Sequence, residues 1–158
     1  MKRIVLILTF LAAAVPQPAF GSGIELQEQD AESQARALAV RAYLDNPATL
    51  FYNPAGLAFL DGFSISGGAT LVFPSFNYSD PNGVNPKATS INPLVPPPHA
   101  YAAFGTKVHE GGRLGFGVGI NYPFGLTLEW EEQFAGRHLV SESELQIPQI
   151  LAGISYSP

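Results

Sequence analysis

Phe51-Tyr52-Asn53-Pro54-Ala55-Gly56-Leu57 is followed almost at once by Phe63-Ser64-Ile65-Ser66-Gly67-Gly68-Ala69-Thr70-Leu71-Val72-Phe73. In the second stretch Phe63, Ile65, Ala69, Leu71 and Phe73 fall on one side, and Ser64, Ser66 and Thr70 on the other. A period of two is that of a strand with one apolar face and one small, polar face. Its 11 residues suit a tilted strand crossing a bilayer. The join therefore sets a compact aromatic-then-turn element directly before what reads as the first wall strand of a membrane barrel.

Outward from the join, the beginning of the chain reads as an export signal. Lys2 and Arg3 are followed by an apolar run, Ile4 to Val15, broken only by Thr9, and Ala19-Phe20-Gly21 offers small residues for a cut before Ser22. Residues 1–21 are thus expected to be a signal peptide, the run being too short to span a membrane. Removing Lys2 and Arg3 leaves 6 basic against 13 acidic residues, a net charge near −7. That balance argues against a nucleic-acid partner, which needs a basic stripe. With no cysteine, neither a disulfide framework nor a thiolate metal site is available.

Ser22 to Leu44 is alanine-rich and mixed in charge. Ala31, Ala35, Leu38, Ala39 and Ala42 follow helical spacing, which predicts one or two short helices from about Asp30 to Tyr43. Asp45-Asn46-Pro47 breaks that pattern, and a second short helix is expected between Pro47 and Asn53. Beyond the first strand, Pro74 to Pro98 is dense in Asn-Pro, Asp-Pro and Pro-Pro steps and reads as a long loop. A second strand is expected from about His99 to Val108 and a tight turn at His109-Glu110-Gly111-Gly112. The third strand is Arg113 to Asn121, where Leu114, Phe116, Val118 and Ile120 alternate with Gly115, Gly117 and Gly119. Tyr122 to about Ser141 reads as another long excursion. A fourth strand covers roughly Glu142 to Ser155, with Pro148 tolerable only at a bulge or kink.

The connections run long, short, long, as they do where extracellular loops are long and periplasmic turns short. Four strands cannot close a membrane barrel, for which bacterial single chains start at about eight, and an open edge in lipid leaves backbone groups unsatisfied. The reading is therefore an all-β, transmembrane antiparallel β-barrel seen through its first four strands. Its parts are a signal peptide (1–21), an N-terminal segment (22–61) and barrel strands (62–158), with further strands expected to follow.

These residues carry a family likeness. Ala35-Arg36-Ala37, the run Asp45-Asn46-Pro47-Ala48-Thr49-Leu50 into Phe51-Tyr52-Asn53-Pro54-Ala55-Gly56-Leu57, and Tyr122-Pro123-Phe124-Gly125-Leu126 with Trp130 and Gly136-Arg137 resemble the outer-membrane long-chain fatty acid and hydrocarbon transporters (FadL-like). The resemblance implies a fourteen-stranded barrel closed by a small helical hatch, here residues 22–61. It also implies passage of hydrophobic substrate after hatch rearrangement and exit at a kink in the third strand. Gly115, Gly117 and Gly119 lie in the matching strand and would suit a kink. The family often has glycine where this chain has Ala35.

Each candidate site has a plainer reading beside it. Asn53-Pro54-Ala55 is either the hatch element that seals the lumen or a structural turn. Arg36 and Arg41 are expected to pair with hatch or wall carboxylates, since a buried arginine needs such a partner. Phe124, Leu126, Trp130 and Phe134 form a candidate substrate-capture or interface patch. Leu126, Trp130 and Phe134 are spaced four apart as on one helical face, and the alternative is an aromatic belt at the membrane interface. His99, His109 and His138 are scattered without metal-ligand spacing, and no serine sits in a nucleophile elbow. No enzyme, cofactor or metal is expected.

The leading functional reading is passive import of long-chain fatty acids or other hydrophobic small molecules across the outer membrane of a Gram-negative bacterium. Outer-membrane lipid and lipopolysaccharide would surround the barrel. No residue speaks to oligomeric state, so a monomer is the default expectation. The alternatives are a structural or adhesin barrel whose loops bind partners outside, and a small periplasmic β-sandwich.

Overall fold

The computed structural model describes residues 25–42, 45–91, 94–108 and 111–158. The expected signal peptide, and His109 and Glu110 of the expected turn, lie outside them.

The N-terminal segment contains a helix α1 (Ala31–Ala35), a one-turn helix α2 (Thr49–Tyr52) and a 3₁₀ helix η1 (Pro54–Phe59). Asp30 caps α1, its carboxylate accepting from the Ser33 amide at 3.1 Å, the side-chain capping that satisfies an orphan amide of the first turn. The helix stops well short of the expected Tyr43. The Leu38 amide donates to Ser33 O (2.8 Å) and the Ala37 amide to Gln34 O (3.0 Å), the paired bonds of a Schellman closure. Closure forces φ of 50° on Ala37 and 64° on Leu38, a conformation that ordinarily favours glycine. Reversal of the chain here carries Val40 into the core and Leu38 against it. The alanine spacing gave too thin an apolar stripe to hold a longer helix. Ala35 is the last helical residue, and the left-handed backbone falls after Arg36, at Ala37 and Leu38.

Four antiparallel strands form the main sheet in the order β1 (Gly62–Ala69), β4 (Pro98–Lys107), β5 (Arg113–Glu129) and β6 (Glu142–Ser157). The regular ladder of β1 ends at Ala69, earlier than the expected Phe73, but the chain stays alongside its neighbour through a bridge between Val72 and Val95. The loop expected from Pro74 to Pro98 carries its own hairpin, β2 (Asn77–Tyr78) with β3 (Ala88–Thr89). Asp80 closes the hairpin's tip, its carboxylate accepting from the amides of Asn82 (2.9 Å) and Asn85 (2.8 Å), the Asx-type turn that makes such residues turn formers.

The largest correction concerns residues 122–129, which continue β5 rather than opening a loop. Pro123, within the expected excursion, stands where no ladder donor is required. Pairing runs from Arg113 to Asn121, shifts by one residue, and resumes at Phe124 opposite Ile147. Tyr122 and Pro123 face Pro148 alone, the two-against-one count of a β-bulge. Two residues without an N–H group thus share one irregularity, the position to which proline is confined within a sheet. Only 130–141 remain as turns, closed by the Trp130 amide donating to Ser141 O at 2.9 Å.

The two faces of the sheet differ sharply. Phe63 and Ile65 are 71% and 73% exposed, and Phe104, Phe116, Val118, Ile150, Ile154 and Tyr156 line the same outer face. The inner face is covered by the N-terminal segment. There Leu57, Leu50, Leu60, Tyr52, Val40 and Ala48 make one buried cluster with Tyr101 and Ala103 of β4.

Candidate functional site

The site is the seam between the N-terminal segment and the inner face of the sheet. Register sets that face in rows across β1, β4, β5 and β6. The first row is Gly62, Gly105, Gly115 and Ser155; the second is Ser64, Ala103, Gly117 and Gly153; the third is Ser66, Tyr101, Gly119 and Leu151. His99 lies opposite Gly68, one step further. The first two rows thus hold only small residues, and bulk begins at the third.

η1 sits on the small rows. A Cβ on Gly115 would stand 2.2 Å from the Leu57 carbonyl carbon, and one on Gly105 2.1 Å from Leu60 O. On Gly117 and Gly153 it would meet the Leu57 and Leu50 side chains at 2.8 Å. Backbone-to-backbone approach of this kind is what glycine in a strand permits. Gly115, Gly117 and Gly119 are paired without a break, and the irregularity of β5 lies beyond them at Asn121 to Phe124. In this structure those glycines make room: the first two for Leu57 of η1, and Gly119 for the Tyr101 ring.

A residue that pattern reading missed secures the same end. Arg113 opens β5, and its guanidinium donates to Ala58 O (2.7 Å), Phe59 O (3.3 Å) and Leu60 O (3.0 Å) and to Asp61 Oδ1 at 2.6 Å. The rigid five-donor fork of arginine suits such a cluster of acceptors, and a cation is favourable at the carbonyl end of a helix. Hydrogen bonding by Arg113 holds the exposed Asp61 carboxyl below its ordinary range. Its sequence signal was a basic residue at the start of a strand with no further charge before Glu129.

Asn53 is the joint between α2 and η1, extended at φ −158°, ψ 90°. Its amide donates to Thr49 O (2.7 Å), its side-chain amide donates to Arg41 O (2.8 Å), and Thr49 Oγ1 donates to Asn53 O (3.0 Å). Pro54 occupies the first position of η1, where its missing N–H costs nothing. Arg36 forms an ion pair with Glu32 at 2.6 Å, one helical turn away within the same segment. Arg41 donates instead to the Gln27 side-chain oxygen at 3.2 Å, an amide rather than a carboxylate.

Tyr52 gathers the start of the segment. Its hydroxyl accepts from the Gln29 amide (2.8 Å), lies 2.6 Å from Ser33 Oγ and 2.8 Å from Gln27 O. Burial raises the Tyr52 pKa above the ordinary phenol value. The segment touches the sheet at the bulge through the Leu26 amide to Pro123 O (2.7 Å) and the Gln29 side chain to Tyr122 O (3.2 Å). Between these contacts and η1, polar atoms are left over. Tyr101 is 1% and Asn121 0% exposed, yet Tyr101 Oη, His99 Nδ1 and both side-chain polar atoms of Asn121 lack hydrogen-bond partners among the described residues. So do the Ser64, Ser66 and Ser155 hydroxyls.

The expected aromatic patch divides in two. Phe124 and Leu126 belong to β5, paired with Ile147 and Leu145, so no helical face carries them. Trp130 and Phe134 stack in the turn region at 4.3 Å and 13°, and Phe134 meets Tyr78 of the hairpin edge-on at 5.2 Å. Phe134 is buried. Instead of an open surface, these rings join the two long loops. A cleft of about 50 Å³ beside Asn53 and another of about 70 Å³ among Pro97, Tyr122, Gly125 and Gln146 fall below the roughly 300 Å³ of a small-molecule pocket.

A family model described as outer membrane protein transport protein (OMPP1/FadL/TodX) matches residues 12–157. The chain is 34% identical over 149 residues to an outer membrane protein of Neisseria meningitidis serogroup B, covering 89% of this chain and 31% of that protein. It is 30% identical over 141 residues to the 47 kDa outer membrane protein of Pasteurella multocida (88% and 32%), and 26% over 142 residues to the long-chain fatty acid transport protein of Escherichia coli K12 (88% and 31%). The chain spans about a third of the length of these relatives. No solved structure matches it. The two-faced sheet and the comparisons agree: this chain is an outer-membrane protein of Gram-negative type and belongs to the OMPP1/FadL/TodX outer membrane transport protein family.

Proposed function

We propose that the protein imports long-chain fatty acids or other hydrophobic small molecules by passive diffusion, through a β-barrel of which these are the first four strands. Residues 22–61 act as its plug. The observation that carries this reading is the arrangement of the sheet: large apolar side chains outside, and a folded segment seated on a small-residue inner face. A barrel wall meets lipid on the first face and its lumen on the second. An open porin has no use for a segment that fills the lumen, whereas a carrier of apolar molecules needs a path sealed until substrate arrives. Similarity to the long-chain fatty acid transport protein supports the substrate class. Asn53-Pro54-Ala55 is then the joint leading into η1, the part of the plug seated on the wall, and Trp130, Phe134 and Tyr78 form a loop cluster on the outside of the cell.

The test is uptake of radiolabelled oleate by cells lacking their own transporter, with and without the full-length protein. Faster entry with the protein supports the reading, and equal entry removes it. A second reading, a structural or adhesin barrel, draws on the ordered hairpin β2–β3 and its ring contact with the other loop. It expects unchanged uptake and weaker surface attachment when residues 77–89 are replaced by a short linker.

A further inference from the structure

The seam described above has two unlike halves. Along η1 it is interlocked: the Leu57 carbonyl and Leu60 O lie where a Cβ on Gly115 or Gly105 would stand, and Arg113 holds the carbonyls of Ala58, Phe59 and Leu60 together with Asp61. Unpartnered hydroxyls occur there too, at Ser64 and Ser155, but the backbone acceptors of the turn's end are tied. Above Asn53 the seam is loosely satisfied. Tyr101, His99 and Asn121 are buried with polar atoms that lack a well-formed hydrogen bond. Beside the packing of Val40, Ala48 and Leu50, this half is hydrogen-bonded to the sheet, among the described residues, only near its start, from Leu26 and Gln29 to the bulge and from Thr70 to Glu28 O. Buried polar groups without partners are costly and gain hydrogen bonds when water reaches them. Backbone approach and the Arg113 clasp oppose separation in the lower half. In the upper half the apolar packing of Val40, Ala48 and Leu50 is offset in part by the unsatisfied polar atoms, and the extended backbone at Asn53 divides the two.

We infer that Arg113 is a positioning residue that keeps Pro54–Phe59 as a static base, so that opening of the plug falls, among the described residues, on 25–42 and 45–52 and not on η1. Arg113 acts on the moving part only through η1: it fixes the point from which the segment swings. The inference deepens the import reading and rests on it for its transport measurement alone.

Engineered disulfides test the boundary directly, since the segment has no cysteine of its own. Three pairs are placed by the distances from an added Cβ: Leu57→Cys with Gly117→Cys (2.8 Å from Leu57 Cδ2), Leu50→Cys with Gly153→Cys (2.8 Å from Leu50 Cδ1), and Leu26→Cys with Gly125→Cys (3.8 Å from Leu26 Cδ1). In the full-length protein, the oxidised 57–117 pair is expected to keep the oleate uptake of its reduced form. The oxidised 50–153 and 26–125 pairs should each lower uptake about tenfold, restored by reductant, as for a lid that must open. Reductant-reversible block by the 57–117 bridge, or free transport with both other bridges closed, would overturn the inference while leaving the import reading intact.

Amide hydrogen exchange on the purified wild type needs no transport and no variant. Residues 26–42 should exchange at least about tenfold faster than 54–61, as expected of separate opening units, and Arg113→Ala should remove the difference. Equal exchange in the wild type would overturn the inference. If the wild-type protein fails to speed oleate entry, the import reading falls, and the exchange measurement still judges the boundary.

Discussion

The outer and inner faces of one sheet are built from alternate residues of the same strands, and they obey opposite rules of size. Along β5, Phe116, Val118 and Ile120 point outward and stay exposed, while Gly115, Gly117 and Gly119 point inward and are crowded. On the proposed reading the outer face meets lipid and is tolerant of which apolar residue it carries, because lipid is a fluid that fits any contour. The inner face meets a folded backbone and has no such freedom, since interiors are close-packed and resist added volume. The comparison teaches that exposure to lipid selects for hydrophobicity, whereas contact with the N-terminal segment selects for shape.

Substitutions on the two faces can break that contrast, each read as a change in unfolding free energy of the full-length protein in lipid or detergent. The largest effect is expected for Leu57→Ala, which empties the centre of the buried cluster and should cost about 2–5 kcal/mol. Val118→Arg places a charge on the outer face and should cost about 2–4 kcal/mol if that position lies at the bilayer midplane. A negligible cost in lipid would show that the face does not meet hydrocarbon. Gly115→Ala, with its new Cβ at 2.2 Å from the Leu57 backbone, should cost about 1–3 kcal/mol by overpacking. Its outer-face counterpart Ile154→Leu should change stability by less than about 1.5 kcal/mol, as volume-conserving swaps do. Equal costs for these last two would dissolve the distinction between the faces.

The smallest effect concerns pH at the Arg113 clasp. Asp61 has its carboxyl lowered by hydrogen bonding to Arg113, so the charged form is favoured in the folded state. Its contribution is fully present above the unfolded carboxylate pKa and is lost as pH falls through the lowered folded value. Asp61→Asn should therefore flatten the acid limb of the stability profile slightly and leave stability at neutral pH close to unchanged, since Asp61 is exposed. A loss that appears at acid pH and is absent at neutral pH would contradict the assignment.

Legibility in the sequence followed the period of two. Phe63 and Ile65 against Ser64 and Ser66, or Phe116 and Val118 against Gly117, sorted themselves onto faces without help, because alternation is imposed by the strand itself. Pro148 could be placed at an irregularity for the same reason. Reading failed where a local signal was outweighed by a distant partner. In sequence Tyr122 reads as the start of a long excursion, but a bulge opposite Pro148 absorbs Tyr122 and Pro123 and the strand goes on. Trp130 and Phe134 had helical spacing, yet their partners were each other and Tyr78 on another loop. The alanine run predicted one or two short helices between about Asp30 and Tyr43, and a Schellman closure at Ala37 and Leu38 ended the first after Ala35.

By itself, then, the sequence determined that strands with one apolar and one small face alternate with long and short connections, and its motifs marked the family. Those are properties of neighbouring residues, fixed by backbone geometry and side-chain size. Tertiary structure alone decided what the small face was for. Glycines at 105, 115, 117 and 153 become a seat only when η1 lies against them, and Arg113 becomes a clasp only when the carbonyls of residues 58–60 converge on it. Close approach and converging acceptors involve residues some fifty positions apart, and no local pattern encodes a contact that only the closed fold creates.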